Sequence, residues 1–322
     1  MTAAARSPEV RVGSIGLRSP VMTAAGTAGY GAELAGVGDL AQLGAVVVKS
    51  LAAFEWGGNP APRLHPAGVG MLNAVGLQGP GIQHWLQHEL PALIATGATV
   101  VASIWGRTVA EYRQAAELLA DAPPQVVAVE VNLSCPNVAN DASGHRGIFA
   151  HDVDLSAQVV AATAACGRPR WAKLSPNTDR VVEVAAAVHA AGAEAVTLIN
   201  TALGMVLSES SGLPVLAAGG GGYSGRPLHA IAVRTVFDVR AALPDVAIVG
   251  VGGVCNGWDA AELMLAGASA VQVGTATFAD PRAPWKIQRE LLAWCAARHL
   301  AVGDLTGRAH HGGLPGGLPP TR

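Results

Sequence analysis

The chain has 322 residues, half of them apolar and 14% charged, with a formal charge of −2. That length can bury a large core, and that composition excludes extended disorder. The balance of 21 basic against 23 acidic side chains leaves no footprint for nucleic acid or an anionic membrane as a partner.

Short apolar, β-branched runs alternate with longer amphipathic or Ala-rich stretches along the whole chain. The pattern predicts strands over 20–24, 45–49, 99–104, 126–132, 171–174, 195–200, 246–251 and 270–274. It predicts helices over 33–43, 82–95, 109–119, 155–165, 179–191, 228–243, 257–266 and 284–298. Polar caps or Pro open these helices, and Gly97, Gly192 and Gly267 close three of them. Eight strand-then-helix units in about 300 residues is the count of an α/β (β/α)8 TIM barrel. A doubly wound open sheet is the alternative, and eight consecutive units without a linker favour closure. The expected organisation is one barrel over 1–302, then a loosely ordered Gly/Pro-rich tail over 303–322. Two connections, 51–81 and 203–226, are too long for simple βα loops. Both leave from strand C-termini, the face on which barrels carry their chemistry.

The N-terminal nine residues lack the apolar core of a signal peptide, and no window holds the roughly 18 apolar residues of a spanning helix. A soluble, cytoplasmic protein is expected. Cys135, Cys166, Cys255 and Cys295 are scattered, with no Cys-x-x-Cys pair. That spacing fits neither a zinc site nor an iron–sulfur cluster, so no metal is expected and the thiols read as reduced.

The strand over 126–132 runs into Asn132, Ser134, Cys135 and Asn137, with Pro136 breaking the ladder. Two amides and a thiol stabilise no core there, so that strand end builds a site. Other strand ends add Ala25-Gly26, Lys49-Ser50, Lys173, Asn200-Thr201, Gly252-Gly253 and Gly274-Thr275. The long loop over 51–81 adds Asn73, Val75, Gly76 and Leu77.

Gly252-Gly253 and Gly274-Thr275 follow the last two strands, where barrels commonly hold phosphate on backbone N–H groups. A helix starting near Gly257 adds its dipole. An isolated Gly pair more often only permits a tight turn; the pairing across two neighbouring strands carries the reading.

The chain has 18 arginines and only three lysines, Lys49, Lys173 and Lys286. A lone lysine usually snorkels to solvent. Two of three at strand ends point instead to ammonium groups kept for negative charge on a reduced flavin or a bound carboxylate. Asn73, Asn132, Asn137 and Asn200 offer amides that suit a planar, uracil-type ligand, although each alone reads as a turn or cap. Cys135 alone reads as a buried structural thiol; within this cluster it is a candidate base or nucleophile.

Over 20–278 these motifs resemble the dihydroorotate dehydrogenases. Asn132-Leu-Ser-Cys-Pro-Asn is similar to the family's catalytic loop, and Asn73-Ala-Val-Gly-Leu-Gln and Leu198-Ile-Asn-Thr to its substrate motifs. Gly250-Val-Gly-Gly-Val and Val273-Gly-Thr are similar to its flavin phosphate motifs. The resemblance implies FMN at the C-terminal face of the barrel and oxidation of (S)-dihydroorotate to orotate in pyrimidine (UMP) biosynthesis. Cys135 would take the C5 proton while hydride leaves C6 for FMN. The implied substrate contacts are Lys49, Asn73, Val75, Gly76, Leu77, Asn132, Asn137, Asn200 and Thr201. The implied FMN contacts are Ala25, Gly26, Lys49, Ser50, Asn132, Lys173, Ile199, Gly225, Gly252, Gly253, Gly274 and Thr275. Two alternatives stand beside this reading: an FMN enzyme of another dihydropyrimidine, and a non-catalytic barrel for a phosphorylated ligand.

A cysteine base is similar to the class 1 enzymes, and the overall run of sequence to their heteromeric, NAD-linked type. That type implies an electron-transfer subunit carrying FAD and an iron–sulfur cluster, around a homodimer core. Two stretches depart from it. Arg226-Pro-Leu-His229 stands where that type usually has Ala-Ile-Lys-Pro, and the loop after Val138 differs as well. The electron acceptor is left open among NAD through a partner, fumarate and a quinone.

Overall fold

A computed structural model describes residues 10–134 and 149–314. Eight strands form the central sheet: β1 (Val21–Thr23), β2 (Val46–Val47), β3 (Val100–Ile104), β4 (Val126–Asn132), β5 (Arg170–Lys173), β6 (Ala195–Leu198), β7 (Ala247–Val251) and β8 (Ala270–Val273). Their order is β1-β8-β7-β6-β5-β4-β3-β2, with every paired neighbour parallel. The two ends of that order also meet. Gly44 N–H donates to Val21 O at 2.8 Å, and Thr23 N–H to Ala45 O at 3.3 Å. The Thr23 hydroxyl accepts from Val47 N–H at 2.9 Å and donates to Val47 O at 3.4 Å. The sheet is therefore a closed (β/α)8 barrel rather than an open doubly wound sheet.

All eight predicted strands form, each within a residue or two of its expected limits. β3, β6 and β8 are buried at every position, as strands covered on both faces require. The jacket consists of α1 (Ile82–His88), α2 (Leu90–Ala95), α3 (Val109–Leu118), α4 (Val153–Ala162), α5 (Val181–Ala190), α6 (His229–Ala242), α7 (Gly257–Ala266), α8 (Ala276–Ala279) and α9 (Ala283–Ala296).

Four departures stand out, the first two with local causes. The helix expected over 82–95 divides at Glu89, because Pro91 lacks an N–H and crowds the preceding turn. The helix expected over 33–43 is two 3-10 turns, Glu33–Gly36 and Leu40–Gln42, with Gly36 and Gly38 interrupting it. The two long connections are not irregular: Ala202–Gly204, Gly221–Gly225, Gly70–Asn73 and Leu64–Ala67 pair in that order as an antiparallel sheet. Of the tail expected to be loose over 303–322, the described part, 303–314, packs through two 3-10 turns, Val302–Leu305 and Arg308–His310. Leu305 is fully buried there, Gly307 N–H donates to Met264 O on α7, and the His310 ring stacks on Phe237 with centroids 4.0 Å apart.

An unanticipated hairpin, Val10–Val12 with Ile15–Leu17, precedes the barrel. Its turn is tied by Ser14 N–H to the Glu194 carboxylate just before β6, at the N-terminal end of that strand. Among the described residues no helix is long and apolar enough to cross a membrane.

Candidate active site

The strand C-termini and the antiparallel sheet enclose one cleft of about 1180 Å³, its mouth included. Every candidate residue within the described chain lies on its wall. β1 supplies Ala25 and Gly26 just beyond its end; β2 supplies Lys49 and Ser50; β4 and β5 supply Asn132 and Lys173. Ile199, Asn200 and Thr201 follow β6, Gly252 and Gly253 follow β7, and Gly274 and Thr275 follow β8. Asn73, Val75, Gly76, Leu77 and Gly225 come from the antiparallel sheet and its turns. Cys135, Asn137 and the divergent loop after Val138 lie outside the described residues. Ser134 is the last described residue before them, and it is fully buried.

The amides form a connected network. Asn132 Nδ2 donates to Ser50 Oγ at 3.0 Å, and Ser50 Oγ lies 2.8 Å from Ser103 Oγ. Asn200 Nδ2 donates to Ser134 Oγ at 2.7 Å, and Ser134 Oγ donates to Asn132 Oδ1 at 3.2 Å. Tyr112 Oη donates to Asn132 O at 2.7 Å and fixes the strand end from outside the barrel. These bonds tie Asn132 at the end of β4 to Asn200 after β6, across the intervening β5. Their geometry suits a planar ligand that exchanges donors and acceptors with amides.

Two ammonium groups flank the network. Lys49 Nζ donates to Tyr30 Oη at 2.8 Å and to Gln78 O, and it sits 5.1 Å from the centroid of the Tyr30 ring. Burial, reinforced by Glu89 and Glu33, pushes the Tyr30 phenol far above its ordinary range, so the phenol stays protonated. It donates to Gln78 O and leaves a lone pair for Lys49. Lys173 faces inward beside Asn132, its register partner, and its Nζ is 3.5 Å from Glu130 Oε1. Glu130 has no exposure; its Oε2 accepts from Gln272 Nε2 at 2.7 Å and from Thr197 Oγ1 at 3.1 Å. Four strands thus contribute to one buried polar layer beneath the cleft. Sequence reading passed over Glu130, although a lone acid inside Val126–Asn132 was a visible signal. It also passed over Tyr30 in the loop after β1, Ser224 in the antiparallel sheet and Phe278 on the short α8.

The far end of the cleft is built for close backbone approach. Gly252 and Gly253 have φ of +136° and +65°, so two successive peptides turn in a way side chains resist. A Cβ added at Gly26 would meet nothing within 4 Å, leaving that wall open for a ligand. Thr275 Oγ1 donates to Ser224 Oγ at 2.8 Å and joins the β8 end to the antiparallel sheet. One cleft thus carries cations, amides and glycine backbone on its wall, a set that suits an anionic cofactor together with a small planar ligand.

The dihydroorotate dehydrogenase family model matches residues 8–294. The chain belongs to the dihydroorotate dehydrogenase family. Among its relatives is the dihydroorotate dehydrogenase B (NAD(+)) catalytic subunit of Trichlorobacter lovleyi, 43% identical over 92% of this chain and 97% of that protein. The protein of the same description from Geotalea uraniireducens is 44% identical over 92% and 96% of the two chains. That from Geobacter sulfurreducens is 42% identical over 91% and 94%. Membership in the dihydroorotate dehydrogenase family makes the chain an oxidoreductase, and the cleft at the strand ends is its candidate active site.

Proposed function

We propose that this protein oxidises (S)-dihydroorotate to orotate with FMN, the redox step of pyrimidine biosynthesis. The observation that carries the reading is one cleft walled by two ammonium groups, three asparagines and a glycine-lined end, all from strand C-termini and the adjoining sheet. When bound, the flavin accepts the two electrons that leave the substrate with the C6 hydrogen. Cys135 takes the C5 proton at Sγ, and the C5–C6 bond becomes double. Asn73, Asn132, Asn137 and Asn200 orient the pyrimidine ring, and Thr201 with the 75–77 backbone closes over it. Lys49 faces the substrate carboxylate, its ammonium held in place by Tyr30 and Gln78. Lys173 would supply positive charge to the bound flavin. Gly225, Gly252, Gly253, Gly274 and Thr275 would hold the FMN chain and phosphate.

The reading extends to the electron acceptor. The relatives are described as NAD(+)-linked catalytic subunits, which supports a partner subunit that takes electrons onward. The four cysteines here are scattered in sequence, so an FAD and iron–sulfur relay falls to that partner. A homodimer core and a cytoplasmic location complete the proposal.

The test is anaerobic mixing of FMN-loaded protein with dihydroorotate and, separately, with dihydrouracil. Dihydroorotate is expected to bleach the flavin band and dihydrouracil to leave it unchanged. Bleaching by dihydrouracil alone sinks the assignment. A protein that cannot be loaded with FMN supports a non-catalytic barrel instead.

A further inference from the structure

The stretch that departs most clearly from the heteromeric pattern, Arg226-Pro-Leu-His229, meets its partners directly behind the glycine end of the cleft. Arg226 opens a 3-10 turn, Arg226–Leu228, and His229 is the first residue of α6. His229 Nδ1 lies 3.0 Å from Gly252 O, a group that only accepts, so Nδ1 carries the proton of that bond. His229 Nε2 faces carboxylates on α7: Glu262 Oε2 at 3.0 Å and Asp259 Oδ1 at 3.8 Å. Asp259 has no exposure, and its other oxygen accepts from Cys255 N–H at 2.9 Å and pairs with the Arg226 guanidinium. A Cβ at Gly253 would lie 2.8 Å from both His229 Cβ and His229 N, so the loop presses directly on this residue.

We infer that Arg226, His229, Asp259 and Glu262 form a latch that fixes the Gly252–Gly253 backbone for the phosphate of the flavin, with His229 its central positioning residue. This rests on the functional reading above and adds to it the residues that select a phosphorylated flavin. The physical reason is local. Gly252 and Gly253 have left-handed backbone, which glycine adopts without preferring it, so the loop alone does not hold its N–H groups toward one point. His229 pins the carbonyl of Gly252, and Asp259 pins the N–H of Cys255, one on each side of Gly253. The buried Asp259 carboxylate also stands in the first turn of α7, where the helix dipole favours it. Arg226 and Glu262 then hold Asp259 and His229 from the solvent side. A binding loop pinned on both flanks loses less freedom when an anion arrives, and this contributes affinity for the phosphate but not for the ring.

The test compares FMN and riboflavin affinities, by flavin fluorescence, for wild type, His229→Gln and His229→Asn. Asn places its amide near the Nδ1 position and keeps the Gly252 bond, whereas Gln reaches toward Glu262 and loses it. His229→Gln is expected to weaken FMN about tenfold, the loss of one buried hydrogen bond, with riboflavin affinity unchanged. His229→Asn is expected to bind FMN as wild type does. Unchanged FMN affinity in His229→Gln, equal losses for both flavins, or an Asn variant as weak as the Gln variant would overturn the latch. Wild-type protein that takes up neither flavin overturns the functional reading itself, and the latch with it.

Discussion

Lys173 and Glu130 are both nearly or fully buried, and each is costly to leave alone. Among the described residues Glu130 Oε1 has no hydrogen-bond partner, so the nearby ammonium is what compensates it. Lys173→Met is expected to cost about 3–5 kcal/mol in guanidinium unfolding, because it strands a buried carboxylate. Adding Glu130→Gln should restore most of that stability; equal losses in the single and double variants would refute the pairing. His151 offers a pH test of burial. Desolvation holds its imidazole below the ordinary value of 6.5, and its Nε2 is buried without a partner among the described residues. The unfolded chain therefore binds this proton more readily than the folded one. The stability His151 contributes is fully present above 6.5 and is lost as pH falls below 6.5 toward the lowered folded value. Denaturant midpoints should fall less steeply below pH 6.5 in His151→Leu than in wild type. At this scale the sequence was informative where residue type was unusual for its place: scarce lysines and amides after buried strands. It was silent on Tyr30 and Gln78, since nothing local says that a phenol and a carbonyl will meet Lys49.

At the seam between β1 and β2, only three and two residues long, one side chain adds to the two backbone bonds that close the barrel. Thr23 is fully buried, and its hydroxyl satisfies Val47 N–H across the seam. Thr23→Val keeps the shape and removes the acceptor, so it is expected to destabilise by about 1–3 kcal/mol, while Thr23→Ser stays near wild type. Equal stability of the Val and wild-type proteins in thermal unfolding would show that the seam needs no side-chain bond. Strand and helix positions were legible because buried β-branched runs and amphipathic periods report local burial. The antiparallel sheet was not. Its strands are three to five residues long and rich in glycine, and they pair residues 70–73 with 222–225, so their register is set by tertiary contact alone. The split at Pro91 and the broken 33–43 helix, by contrast, could have been read from Pro and Gly positions.

For the whole molecule, the closed ring is what turns scattered strand ends into one site. Residues from 25 to 275 share a single wall only because the parallel strands all finish on the same face. A ligand that bridges so many segments should stabilise them together. FMN at a hundredfold excess over its dissociation constant is expected to add about 2.7 kcal/mol of stability, visible as a raised melting temperature. No shift with FMN would remove it from the cleft. The proposed base is Cys135, which directly follows in sequence the buried Ser134 of the amide network. The most direct measurement is single-turnover, anaerobic flavin reduction by dihydroorotate in wild type and Cys135→Ala, both loaded with FMN. The account predicts rapid bleaching in wild type and near-complete loss of reduction in Cys135→Ala with FMN still bound. Bleaching at the wild-type rate in Cys135→Ala, or none in wild type, would contradict it.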